Sequence, residues 1–416
     1  MTNLKQLLIT RLVIARIVTT IFPRAVWGNY YDTLPKGRRL VAIHQVAVRG
    51  VDSYYNGQGS IGEYGCPEME LNAATFENVE ELSDYYFDQL KSSYPDLYSS
   101  FSAGRWSLSA NTDVDVTAVA FAYGLSDRLT IYTTGPYYRA TVNLQVEQLN
   151  RGNALAVDRA VKEDSAKISG VMLDSDLFLD FNLESFQSLL VNHYGYRPLG
   201  SWRAEGIGDV EVTALYRMTD WSDGGMATSW GVSIPTGRED DSSLLQDIAF
   251  GSGHPSAFGE FGGGSIVNHW INIDSFVRYT HHFSHHATLR MVESGDTLLT
   301  AEQESLEIKP GAQIDYSLLA GFQLGDWVKI SPEYLYRHYL ASEYLSSNEQ
   351  VNLYHQQESE ISSHSVKLSL ELSSINAFMQ RKFIMPFTTM FSAQQVVAGK
   401  NTPRYLRLDL DFRIMF

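Results

Sequence analysis

The chain is short of cysteine, of long apolar runs and of basic charge, and each shortage removes a class of protein. One cysteine in 416 residues, Cys66, excludes an intrachain disulfide framework and any cysteine-rich metal site. No run of about 18 apolar residues occurs, so a membrane-spanning helix is not expected. Lys and Arg number 32 against 48 Asp and Glu, a net charge of -16, which argues against a basic nucleic-acid surface. What is abundant is aromatic, with 24 Tyr and 20 Phe, the residues that form interfacial girdles on membrane barrels.

The C-terminal stretch gives the pattern its meaning. Leu406, Leu408, Leu410, Phe412, Ile414 and Phe416 share one parity; Arg407, Asp409, Asp411 and Arg413 share the other. Strand side chains point alternately to opposite faces, so one face is apolar and the other charged. A strand of this kind ending on an aromatic residue resembles the closing strand of a bacterial outer-membrane barrel. The expected fold is all-β, a transmembrane antiparallel up-and-down β-barrel of about 12 strands with long, partly helical extracellular loops. Strands are expected near residues 39–48, 114–123, 129–146, 209–218, 227–235, 258–267, 270–282, 313–324, 328–339, 364–372 and 383–396, with the last ending at Phe416. Connections after the second, fourth, sixth and eighth are short and rich in Gly, Asn and Asp, and the others are mostly longer, as for periplasmic turns and extracellular loops.

Residues 1–28 carry Lys5, Arg11, Arg16 and Arg24 and no acid, and read as a signal peptide ending at Val26-Trp27-Gly28, with an Arg-rich presequence as the alternative. Residues 29–416 read as one barrel. Within it, residues 51–105 and 150–201 are long outer loops, with candidate helices near 77–91 and 182–193. Loops this long either gate the mouth or decorate the surface.

Inward parity selects Glu211, Arg217, Asp274, Arg278, Asp315, Lys329, Glu333, Arg337, Lys367, Glu371, Arg407, Asp409, Asp411 and Arg413 as lumen-lining. A charge on the lipid face near the midplane costs about 2–4 kcal/mol, so the sorting is enforced. These charges either line a water-filled passage or pair across strands as a network. His281, His282, His285 and His286 are the densest histidine group, but no carboxylate or cysteine stands at a recognised metal spacing, and they read as an outer-rim polar cluster. No catalytic residue, metal ligand or cofactor is expected.

Three segments carry a family resemblance. Ala122-Tyr123-Gly124-Leu125-Ser126-Asp127-Arg128-Leu129-Thr130, Gly206-Ile207-Gly208-Asp209-Val210 with Tyr216-Arg217, and Ser233-Ile234-Pro235-Thr236-Gly237 are similar to motifs of a proteobacterial outer-membrane family labelled as the MetA pathway of phenol degradation. The resemblance implies a FadL-like channel for small, often apolar or aromatic compounds. His282-Phe283-Ser284 resembles the His-x-Ser motif of outer-membrane lipid hydrolases, but its parity points away from lipid. The leading expectation is an outer-membrane channel for passive diffusion of small solutes, and not an enzyme. The alternatives are a surface-recognition barrel acting through its loops and, last, a lipid hydrolase. The expected partners are outer-membrane lipid and lipopolysaccharide, the barrel-assembly machinery through the strand ending at Phe416, and a small permeant; nucleic acid is not among them.

Overall fold

Alternating apolar and polar residues become twelve antiparallel strands that close on themselves. The computed structural model describes residues 29–76, 86–163, 181–293 and 299–416, so the proposed signal peptide and most of residues 77–91 lie outside the described residues. The barrel strands are β1 (Arg39–Tyr55), β2 (Ser102–Ser126), β3 (Leu129–Asn150), β4 in two pieces (Trp202–Ile207 and Val210–Trp221), β5 (Gly224–Ile234) and β6 (Ser256–Asn268). They continue as β7 (Ile271–His282), β8 (Gln313–Leu324), β9 (Val328–Tyr339), β10 (Ile361–Ser373), β11 (Phe387–Lys400) and β12 (Thr402–Met415). Each pairs with its sequence neighbour, and β1 closes the ring by pairing with β12 at Leu40↔Met415 and with β2 at Leu40↔Ala122. Closure leaves the barrel wall no free edge.

Burial is inverted relative to a water-soluble protein. Leu406 and Leu408 are 47% and 48% exposed, while Arg407 between them and Asp409 just beyond are 7% and 4% exposed. The same inversion runs round the barrel, with Val212, Phe261, Val277, Leu318, Leu368 and Phe391 outside. Charged residues are almost never fully buried unless paired, and apolar belts face outward only where the surroundings are hydrocarbon.

Both ends of the barrel chain lie at one rim, where Arg39 and Phe416 exchange backbone hydrogen bonds of 2.9 and 3.0 Å. That rim also holds the short turns after β2, β4, β6 and β8, the arrangement of the periplasmic rim in bacterial outer-membrane barrels. Two connections depart from the expected alternation. The one between β10 and β11, at the same rim, contains a helix (Ile375–Met379), and β11 starts at Phe387, after Pro386, rather than at Phe383. At the opposite rim, β11 returns to β12 through Asn401 alone, whose φ of 50° is one that Asn tolerates.

β4 is broken at Gly208-Asp209. A Cβ on Gly208 would lie 2.3 Å from the Tyr138 ring and 2.9 Å from Phe250 O, so only glycine fits. Asp209 accepts from Gly237 N (3.0 Å), Ser252 N (2.7 Å) and Ser252 Oγ (2.7 Å), which seats the loop after β5 against the wall. Phe250, 1% exposed, then stacks on Tyr138 at 5.4 Å.

The two long outer loops are not solvated decoration. They pack on each other and on the projecting tops of β2 and β3 around Trp106, Phe76, Phe87, Leu90, Phe101, Phe186 and Leu190, each buried. Helices Tyr86–Ser93 and Leu183–Ser188 supply part of this core, the latter capped by Asn182, which accepts from Glu184 N and Ser185 N. A second small sheet (His285–Arg290, Gln303–Lys309, Glu343–Leu345) and helix Glu349–Gln356 complete a cap over the outer mouth.

Candidate functional site

The inside of the barrel has three zones: an outer vestibule, a charged waist, and a stopper at the short-turn rim.

The waist gathers most of the residues that parity turns inward. Arg278 pairs with Glu211 at 2.8 Å and lies 3.4 Å from the Phe258 ring centre. Arg337 pairs with Asp315 at 2.6 Å, Arg407 with Asp409 at 2.7 Å and Arg413 with Asp411 at 2.5 Å. Glu333 accepts from Ser317 Oγ at 2.5 Å, Asp274 from Asn272 Nδ2 at 2.5 Å, and Lys329 is buried. Lys367 and Glu371 are half-buried on the same face of β10. Arg217 sits apart, near the rim, where its Nη2 donates to Asp127 O at 2.7 Å. Four of the inward arginines, Arg278, Arg337, Arg407 and Arg413, therefore pair with inward carboxylates. A cavity of about 70 Å³ lies among His44, Asp315, Arg337, Lys367 and Arg407, room for a few waters.

His44 of β1 belongs to this network and was not among the residues expected from sequence. Its Nδ1 lies 3.0 Å from Asp411 Oδ2 and its Nε2 3.0 Å from Asp409 Oδ1. Asp409 and Asp411, two apart on one strand face, are thus spanned by one imidazole from the neighbouring strand. A lone histidine inside an apolar strand gave no signal of this, because the register between β1 and β12 decides what it meets.

The stopper is residues 29–37, which enter the short-turn mouth. Tyr30 N donates to Asp274 Oδ1 at 3.2 Å, its hydroxyl donates to Glu260 Oε1 at 2.6 Å, and its ring stacks on Phe276 at 5.4 Å. Leu34 is wholly buried, with its N–H on Thr130 Oγ1 at 2.7 Å. Thr33 Oγ1 donates to Asp127 O at 2.8 Å.

The vestibule, about 560 Å³, lies above the waist. Arg278 and Gln313 form part of its floor; His254, His282, His285 and Tyr339 line its wall; Leu289, Val292, Ile308, Tyr344 and Tyr354 give it an apolar and aromatic side. The histidine group therefore divides. His281 and His286 are exposed, whereas the His282 and His285 rings lie 5.0 and 4.9 Å from that of His254. Among the described residues no three His, Cys, Asp or Glu side chains converge to hold a metal ion.

Arg290 fastens the cap above the vestibule. It is 5% exposed and donates to Tyr194 O (2.5 Å), Gly195 O (2.8 Å), Ser242 O (3.2 Å) and Thr300 O (2.9 Å), with the Tyr196 ring 4.0 Å away. His355 Nε2 meets Arg290 O at 3.0 Å, so one arginine joins four outer connections. Arg290→Gln is expected to weaken the cap by about 2–3 kcal/mol, the scale of lost hydrogen bonds to a charged group. Faster amide exchange around residues 190–200, with the barrel strands unchanged, is the corresponding observation.

Burial pushes the His355 imidazole below its ordinary 6.5, with its contact to Arg290 O opposing. The unfolded chain then binds this proton more readily than the folded cap does, so cap stability is full above about 6.5 and falls as pH drops below it. Limited proteolysis of the outer loops should quicken on going from about pH 7.5 to about pH 5.5, and His355→Gln should flatten that response.

No protein-family model matches this sequence, and no curated protein does either. Solved structures do resemble the fold. An outer membrane channel from Pseudomonas putida F1 superposes with a TM-score of 0.52 at 10% identity, covering 93% of this chain and 98% of that one. The transport unit of the autotransporter AIDA-I from Escherichia coli gives 0.40 at 7% identity, over 100% and 99% of the two chains. The Pseudomonas putida toluene transporter TodX gives 0.30 at 9%, over 93% and 91%. The first shows that the chain has the fold of an outer-membrane barrel; the other two overlay too loosely to bear on it.

Proposed function

We propose that this chain is a gated outer-membrane channel that passes small solutes down their gradients, and that the described arrangement is its closed state. The observation that carries the reading is the stacking of a 560 Å³ vestibule, a waist of paired charges and a separable stopper along one barrel interior. A barrel serving only as a scaffold for loops needs no such vestibule. The vestibule sets apolar and aromatic side chains against carboxylates, which suits small amphipathic or aromatic solutes. Diffusion through it requires no catalysis: binding must be favourable enough to enter and weak enough to leave.

Purified protein in planar bilayers should show discrete opening events, and vesicles containing it should swell with small neutral solutes. Flat current traces and unswollen vesicles with every solute tried would remove the channel reading. Asp209, Glu211, Glu239, Asp240 and Asp241 line the vestibule against Arg278 and Arg290. The open channel is therefore expected to prefer cations, read as a reversal potential in a salt gradient, and Glu239→Gln with Asp240→Asn should reduce that preference.

A further inference from the structure

The connection between β10 and β11 departs from the short turns around it, and it is firmly built. Ser374, fully buried, donates through Oγ to Met385 O at 2.7 Å and accepts from Phe387 N at 2.9 Å. Arg381 N bonds Phe378 O at 2.9 Å and Lys382 N bonds Ala377 O at 2.8 Å. This frame holds apolar side chains outward: Ile384 is 94% exposed, Met379 74% and Met385 39%. Arg381 and Lys382 are exposed among them.

The patch is continuous with the apolar belt of the barrel. Phe412 pairs with Ile43, an outward residue, and its ring lies 6.1 Å from Phe387. Phe387 meets Phe383 at 5.9 Å, and Phe383 meets Trp327 edge-on at 5.3 Å. A row of rings thus runs off the lipid-facing wall into this loop, at the level where aromatic girdles mark the headgroup boundary.

We propose that residues 375–386 are an interfacial anchor lying in the adjoining bilayer leaflet, with Met379, Ile384 and Met385 among the upper acyl chains and Arg381 and Lys382 at anionic lipid phosphates. Apolar side chains beside basic ones, the basic heads free to reach outward, form the pattern of surfaces that lie on membranes. The occupant is lipid rather than protein, because the patch extends a face already turned to hydrocarbon and its charge complements phosphate. The proposal rests on the membrane reading above, so its test needs a control for that reading.

In a Cys66→Ser background, Ile384→Cys and Leu368→Cys are each labelled with an environment-sensitive fluorophore. The full chain is folded into vesicles of phosphatidylcholine and phosphatidylglycerol containing brominated acyl chains. The Ile384 label should be blue-shifted and quenched most by bromine near the headgroup end; the Leu368 label should be quenched most by deep bromine. Quenching at Leu368 with a water-like, unquenched label at Ile384 overturns the anchor alone, and loss of both overturns the membrane reading. A blue-shifted Ile384 label that brominated lipid does not quench places the loop against protein and overturns the anchor. Arg381→Gln with Lys382→Gln should lower the quenching in anionic vesicles and leave it unchanged in neutral ones; equal quenching in both overturns the role of the basic pair.

Discussion

Replacing Tyr30, Tyr31 and Leu34 together by glycine should raise single-channel conductance several-fold. The three side chains are 8%, 8% and 0% exposed inside the short-turn mouth. Each apolar side chain withdrawn from burial forfeits about 1.5–3 kcal/mol, and glycine adds conformational freedom to the released segment. The Tyr30 hydroxyl bond to Glu260 and the ring stack on Phe276 are lost as well. The strand ladders do not depend on these contacts, so the variant should keep the resistance of a folded barrel to mild heating in detergent. An intact barrel whose conductance matches the unaltered protein would show that residues 29–37 do not obstruct the solute path.

The second large effect concerns the waist. Asp409→Ala removes one carboxylate that serves both Arg407 and His44, and leaves those two groups buried without it. Breaking a buried charged pair from one side costs about 3–5 kcal/mol. Asp115→Ala is the contrast: Asp115 also pairs with an arginine, Arg49, but both side chains are about half exposed. An exposed pair contributes about 0–1 kcal/mol. Urea unfolding from lipid vesicles should separate the two variants by that difference. Similar losses for both would mean that the waist is hydrated like the outer surface.

Much of the barrel could be read in the chain because its rule is local. A strand with period-two sorting announces its two faces, and tight turns announce where it reverses, so β5 through β9 stand within three residues of their expected bounds, whereas β2 begins at Ser102 rather than near 114 and β4 at Trp202 rather than 209, because both project into the connections expected before them. β11 starts at Phe387 rather than at the expected Phe383 for an equally local reason. Phe383-Ile384-Met385 has strand-like composition, and it becomes a loop because Ser374 staples the loop ends and Pro386 cannot donate to a ladder. The parts of the site that sequence did not give are all long-range. Tyr30 meets residues 230 and 244 positions away, and Arg290 is useful only because distant segments bring it the carbonyls of Tyr194, Gly195 and Ser242 and the imidazole of His355. Nothing in Asn29-Tyr30-Tyr31-Asp32 marks a stopper, and nothing around Arg290 marks a fastening. His44 shows the same limit, since its meaning comes from the strand it pairs with.

Alternation of outside and inside along each strand underlies the whole barrel. β10 offers the most direct test, because Ser365, Val366, Lys367, Leu368, Ser369 and Leu370 can be varied away from the paired waist of β12. Nitroxide labels placed singly at residues 365–370 in lipid vesicles, in the Cys66→Ser background, would report collision with oxygen, which concentrates in hydrocarbon. High collision rates at 366, 368 and 370 with low rates at 365, 367 and 369 are the predicted result. Rates that show no period of two, or that are high at the odd positions, would contradict a barrel whose apolar face meets the bilayer.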